Sequence, residues 1–216
     1  MIFENLKKRI FTSLILLLLI FFIMNFNFIL VYSLIVLGIV SCLEFFSINK
    51  KIINSKYYLF AYNFLFTVYV FLFCFLFFIF SNILQLKIIL FTLLFGCIAS
   101  DIGGFIFGKI FKGPKLTKIS PKKTISGALG SLIFSCITIS SIFYYYIEDL
   151  NINILIIGLA TSIFCQSGDL FFSFLKRKAK IKDTGNFLPG HGGVLDRIDG
   201  IFLGIPLGFI ALTILY

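Results

Sequence analysis

Seven long apolar runs dominate the chain, near residues 10–24, 26–45, 57–80, 86–107, 125–147, 152–174 and 199–216. A helix needs about 20 apolar residues to cross a bilayer core, within a range of about 17–25. In hydrocarbon the backbone has no water to bond to, so runs of this length satisfy it internally as helices. The expected fold class is therefore all-α, a polytopic integral membrane protein with about seven transmembrane helices. Composition agrees, with 60% hydrophobic and 13% charged residues among 216; soluble domains average about 45–50% and about 25%. A soluble globular domain, a disordered chain and a secreted disulfide scaffold are excluded. Cys42, Cys74, Cys97, Cys136 and Cys165 each sit inside an apolar run without metal-ligand spacing. Such thiols behave as small hydrophobes, and neither a disulfide nor zinc is expected.

Charge placement tests the span count. The net charge is +10, and the basic residues cluster. They fall at Lys7, Lys8 and Arg9; at Lys50, Lys51 and Lys56; at Lys109, Lys112, Lys115, Lys118, Lys122 and Lys123; at Lys176, Arg177, Lys178, Lys180 and Lys182; and at Arg197, with Lys87 left over. An even number of runs separates successive clusters, so all lie on one side, which the positive-inside rule makes cytoplasmic. The N-terminus is then cytoplasmic and the C-terminus outside. A single span over 10–45 would put the first two clusters on opposite sides. The first run resembles a signal peptide, but no small-residue cleavage site follows and a second apolar run does, which favours a retained helical hairpin.

The chain reads as two regions. Residues 1–85 are N-terminal transmembrane helices with no recognisable site; Glu4 and Glu44 are their only acids. Residues 86–216 form a catalytic transmembrane region with its site on the cytoplasmic face. Seven of the nine acids lie after residue 100. An acid inside a span costs about 2.5–3.5 kcal/mol on insertion scales and by default has a functional reason. Asp101 and Asp169 lie toward the cytoplasmic ends of the fourth and sixth runs, and Asp196 and Asp199 at the entry of the seventh. Three spans would thus bring carboxylates to one depth. Residues three apart on a helix share a face, so Asp196 and Asp199 could face one ion, with Mg²⁺ suited to carboxylates beside phosphates. A solvated helix start with dipole-favoured acids explains the pair equally well.

Glycine-bearing loops surround these acids. Ser120-Pro121-Lys122-Lys123-Thr124 precedes Gly127 and Gly130, and Pro189-Gly190-His191-Gly192-Gly193 precedes the Asp pair. Glycines let backbone N–H groups approach an anion, and Lys and Arg bring charge to phosphates. Lys112, Lys115 and Lys118 fit a loop that touches anionic lipid. The Ser-Pro-Lys-Lys-Thr run and Lys176-Arg177, beside the acids, fit phosphate binding. His191, the only histidine, fits a phosphate donor or loop-shaping role better than a general base, because phosphate monoesters are already ionised near neutral pH.

From Ser173 the chain reads Ser-Phe-Leu-Lys-Arg, then, after four residues, Lys182-Asp183-Thr-Gly-Asn-Phe-Leu-Pro-Gly-His-Gly-Gly-Val-Leu-Asp-Arg-Ile-Asp199. This resembles the C-terminal motif of the phosphatidate cytidylyltransferases, or CDP-diacylglycerol synthases. Asp101-Ile-Gly-Gly-Phe-Ile-Phe-Gly-Lys109, Ile119 to Gly127 and Gly168-Asp169-Leu170 resemble the same family, so the likeness covers about 101–200. It implies cytidylyl transfer from CTP to phosphatidate in the cell (inner) membrane, a homodimer, and Mg²⁺ with K⁺ as an assisting cation. It implies Asp169, Asp196 and Asp199 around the metal, with Asp101 as a further ligand or lysine partner. Ser120, Lys122, Lys123 and Thr124 would hold phosphates and Lys123 would act in catalysis. Lys176, Arg177, Lys182, His191 and Arg197 would bind substrate, and Asp183 would orient Lys182 or lie near the metal. The chain departs from the family at Phe172, where many relatives carry glutamate, and at Ile102-Gly103-Gly104; it is also short at the N-terminal side.

Other readings are a related CTP-dependent lipid transferase or polyprenol kinase, a transporter, or a non-catalytic scaffold. A kinase would release CDP and a cytidylyltransferase pyrophosphate. A transporter needs acids along a path across the membrane, whereas these gather at one side. The intact acids speak against the scaffold.

Overall fold

The structure, a computed structural model, describes residues 2–148, 151–185, 187 and 192–216, with residues 2–10 described by their helical backbone alone. His191 lies outside the described residues. The described residues form eight helices: α1 (Ile2–Asn25), α2 (Asn27–Ile52), α3 (Lys56–Ser81), α4 (Leu84–Ile110), α5 (Ile125–Ile147), α6 (Ile152–Lys178), α7 (Leu195–Ile198) and α8 (Ile201–Leu215). Among the described residues six segments are long and apolar enough to cross a membrane: α2 to α6, and α7 with α8 as Leu195–Leu215. The apolar part of α1, Phe11–Asn25, is shorter. The chain is an all-α, multi-pass membrane protein. Its helices match the seven apolar runs but overshoot them, with Lys50 and Lys51 in the last turn of α2, Lys109 in that of α4, and Lys176, Arg177 and Lys178 in that of α6. Cations there complement the negative end of the helix dipole.

The chain divides into two compact units. The first is Met1–Ile83 with Leu175–Ile198, and the second Leu84–Phe174 with Asp199–Tyr216. The segment after Phe174 therefore belongs with α1–α3, although the sequence reading grouped it with the other motifs.

In the first unit α2 packs on α3. Phe45 stacks on Phe66 with ring centroids 3.8 Å apart, and Asn49 donates to Asn63 across 3.0 Å. Most large side chains of α3 and of α1 from Phe11 onward are exposed, as expected of surfaces solvated by lipid.

In the second unit α4 and α5 cross with backbone nearly in contact. A Cβ on Gly103 would lie 2.5 Å from the Gly130 carbonyl oxygen. Small residues at such a crossing let membrane helices approach closely. Gly130 was expected to help cradle an anion; its absent side chain serves this crossing instead. Hydroxyls hold α6 to its neighbours: Ser100 and Ser162 lie 2.8 Å apart, and Ser135 donates to the Gly158 carbonyl at 3.2 Å. Phe172 is buried against Phe202 of α8, their ring centroids 6.4 Å apart. Phe172 thus serves an apolar helix–helix contact.

Candidate active site

The second unit carries the first acid–cation pair. After α4 the chain turns through Lys112 (φ 51°) and Gly113 (φ 96°) and folds back on itself. Leu116 N–H donates to the Lys123 carbonyl at 2.8 Å, Ile125 N–H to that of Pro114 at 3.0 Å, and Lys123 N–H to that of Ser120 at 3.0 Å. This small antiparallel fold fixes the Ser120–Thr124 run and directs Lys123 into an ion pair with Asp169 of α6. Both side chains keep about a quarter of their surface open, at 26% and 30%. Lys122 is exposed.

Thr124 is the N-cap of α5. Its hydroxyl oxygen accepts from Gly127 N–H at 3.1 Å, and it lies 3.0 Å from the Ser126 hydroxyl. A capped helix start satisfies a donor that would otherwise be orphaned. The Thr124 oxygen and Gly127 N–H, both candidates for phosphate contact, bond each other at the start of this helix. Asp101 is exposed on α4. Asp199 is 8% exposed and accepts from Gly200 N–H at 2.9 Å. A Cβ on Gly168 would lie 2.6 Å from the Asp199 carbonyl, so the backbone next to Asp169 touches the backbone of Asp199.

The first unit carries the second pair. α6 closes in a left-handed turn at Lys180 (φ 55°), with Lys180 N–H donating to the Arg177 carbonyl and Ile181 N–H to that of Lys176, both at 3.0 Å. This Schellman closure ends the helix just after Lys176. Lys176 Nζ donates to Asp196 Oδ1 at 2.7 Å, with the two side chains 11% and 7% exposed. The other oxygen of Asp196 accepts from Thr184 N–H at 2.8 Å and Gly193 N–H at 3.0 Å. Arg177, Lys182, Asp183 and Arg197 are exposed. Arg177 reaches the Ile181 carbonyl at 3.4 Å.

Asp196 and Asp199 do not lie on one uninterrupted helix. α7 is four residues long and ends at Ile198, a turn covers Asp199 and Gly200, and the helix resumes at Ile201. Asp196 spends its carboxylate on the segment before it. The shared face that three-residue spacing predicts needs a continuous helix, which these residues do not form.

A carboxylate that the sequence reading passed over sits at the centre of the first unit. Glu44 of α2, 7% exposed, accepts from the Thr184 hydroxyl at 2.7 Å, from Val194 N–H at 3.0 Å and from Leu195 N–H at 2.8 Å. The last two are orphan donors at the start of α7. The signal was present: Glu44 lies within an apolar helix, and the rule that flagged Asp101 applies to it equally. In sequence it reads as an acid near a span end, and its partners lie about 140 to 151 positions away.

Among the described residues no group of three or more His, Cys, Asp or Glu side chains is placed to hold a metal ion. Mg²⁺ needs fewer, because it usually keeps several waters and takes one or two carboxylates beside substrate phosphates. Asp169 and Asp199, on touching segments of one unit, fit that requirement. Asp196 has both oxygens engaged by N–H donors, so a cation there would have to displace Lys176.

The profile of the Cytidylyltransferase family matches residues 8–215. A phosphatidate cytidylyltransferase of Rickettsia typhi is 45% identical over 130 residues, 56% of this chain and 57% of that protein. That of Rickettsia prowazekii is 44% identical over 131 residues, with the same coverage. One from Staphylococcus haemolyticus is 46% identical over 112 residues, 50% of this chain and 42% of that protein. The aligned part thus spans about half the length of the curated relatives it matches. With the family profile extending over nearly every residue from the first helix to the last, and the acid–lysine pairs lying in the segments whose motifs resemble that family, the chain belongs to the cytidylyltransferase family.

Proposed function

We propose that the protein transfers a cytidylyl group from CTP to phosphatidate, giving CDP-diacylglycerol and pyrophosphate, at the cytoplasmic face of the inner membrane. A phosphatidate phosphate oxygen forms a bond to the α-phosphorus of CTP, and the bond from that phosphorus to the bridging oxygen breaks. Pyrophosphate leaves with the electron pair. The observation that carries the reading is the pairing of Lys123 with Asp169, within a family whose relatives bear this activity in their names. This pair, open to about a quarter of its surface, joins a lysine of the loop before α5 to an aspartate of α6 and provides a cation for a phosphate and a carboxylate for a metal in one place.

The chemistry is mainly positioning and charge neutralisation. Mg²⁺, when bound, neutralises the triphosphate, and Asp169 and Asp199 are the carboxylates that would hold it. Lys123 carries charge to a phosphate and, without substrate, is held by Asp169. Lys122, Arg177, Lys182 and Arg197 add cations for the two anionic substrates, with Ser120 and His191 as further hydrogen-bonding groups. Lys176 and Asp196 keep the loop before α7 in shape. Asp101 is a further polar contact on α4. K⁺ as a second cation and a homodimer are proposed on the family resemblance.

The test uses purified protein in detergent with phosphatidate and Mg²⁺, following label from α-³²P-CTP into lipid and pyrophosphate in parallel. Label in lipid with equimolar pyrophosphate is expected. CDP in place of pyrophosphate would identify a kinase, and no labelled lipid from folded protein would overturn the reading.

A further inference from the structure

We propose that Glu44 is a positioning residue for the C-terminal motif, anchoring the segment Thr184–Leu195 to α2 so that Asp196 and Lys176 meet; this rests on the cytidylyl-transfer reading. Glu44 comes from a helix with no other acid and from the region to which no site was assigned. Its carboxylate accepts three bonds, one from the Thr184 hydroxyl, one from the N–H of Val194 just before α7, and one from that of Leu195, the first residue of α7. A buried carboxylate needs hydrogen-bond partners, and N–H groups at the start of a helical turn have none within it.

The glycines of the motif are shaped around this carboxylate. A Cβ on Gly193 would run into the Glu44 carboxylate and the Thr184 hydroxyl. One on Gly185 would lie 2.7 Å from Glu44 Oε1. Beside Gly193, one of the glycines at which the sequence suggests room for a substrate anion, the structure places the protein's own carboxylate. Thr184 links the two carboxylates of the segment. Its hydroxyl, 2.7 Å from Glu44 and 3.0 Å from Asp196, has one proton, and the shorter contact gives it to Glu44. Its N–H donates to Asp196. Removing the Glu44 carboxylate would release Thr184, Val194 and Leu195 together, and with them the frame in which Asp196 receives Lys176.

The experiment compares full-length wild type with Glu44→Gln, Thr184→Val, the double variant and Ser47→Ala in nanodiscs. Ser47 is exposed on the same helix and bonds only its own helix backbone. Hydrogen exchange at the Gly193, Val194 and Leu195 amides is measured beside cytidylyl transfer, with kcat normalised to protein that still binds CTP. Glu44→Gln keeps the side chain's size and replaces one acceptor with a donor. It is expected to raise exchange at those amides at least tenfold with α4–α6 unchanged, and to lower normalised kcat at least tenfold. The double variant is expected to be no worse than the more impaired single one, because both substitutions remove one linkage; a general loss of stability would instead add. Ser47→Ala should match wild type in both measurements. Exchange and kcat within twofold of wild type in Glu44→Gln would overturn the inference. So would raised exchange throughout the chain, additive losses, or raised local exchange with unchanged kcat. If wild type itself transfers no cytidylyl group, the functional reading falls, and the local exchange pattern alone decides whether Glu44 anchors the segment.

Discussion

Lys123 and Lys176 both end on aspartates, but their surroundings give the two pairs different capacities. The Lys123–Asp169 pair is open to about a quarter of its surface. Its attraction is screened, and exposed pairs contribute only about 0–1 kcal/mol, so it separates at small cost when a phosphate or a metal competes. The Lys176–Asp196 pair is mostly buried, with backbone N–H groups on the second aspartate oxygen. Breaking such a pair leaves an uncompensated buried charge. Asp169→Asn should therefore abolish turnover, with thermal stability in detergent close to that of wild type. Asp196→Asn should also abolish turnover, but with a clear drop in melting temperature, since the amide presents N–H to N–H. Normal turnover in Asp169→Asn would remove this carboxylate from the chemistry. Lys50→Ala, at the exposed end of α2, should keep turnover within a few-fold.

The helices owe their positions to small residues and hydroxyls, because hydrocarbon supplies no hydrophobic force between them. At the α4–α5 crossing the Gly103 Cβ position lies 2.5 Å from the Gly130 oxygen and 2.7 Å from Phe134 Cβ. Backbone cannot move aside as a flexible side chain can. Gly103→Val should lower stability by about 1–3 kcal/mol or more, the range for overpacking, read as earlier thermal unfolding in detergent. An unchanged melting temperature would mean that the helices do not cross there. α5 begins where Thr124 caps it. The same stretch directs Lys123 toward Asp169, so one segment both starts a helix and delivers a cation.

Across the whole molecule, the long connections 111–124 and 179–194 carry basic residues, whereas the connections at 53–55, 82–83 and 148–151 are short. The positive-inside rule puts both long connections in the cytoplasm. In a variant lacking the native cysteines, Lys115→Cys and Lys182→Cys should react with an impermeant maleimide only from the cytoplasmic side, and Asn151→Cys only from the opposite side. Labelling of positions 115 and 182 from different sides would break the span count. That count was legible in the sequence because hydropathy is a local sum, complete within about 20 residues. The basic segments and the acids beside them were legible for the same reason: charge at the edge of an apolar run needs no knowledge of the fold. The pairings were not. That Gly130 sits at a helix crossing, that Thr124 caps α5, and that Asp196 and Asp199 do not lie on one uninterrupted helix follow from which segments touch. Glu44 shows the difference most clearly. In sequence it is one acid in an apolar helix; it acquires a function only when Leu195, 151 positions later, folds back to donate to it. Burial of a charge demands partners, and only tertiary contact decides which ones it finds.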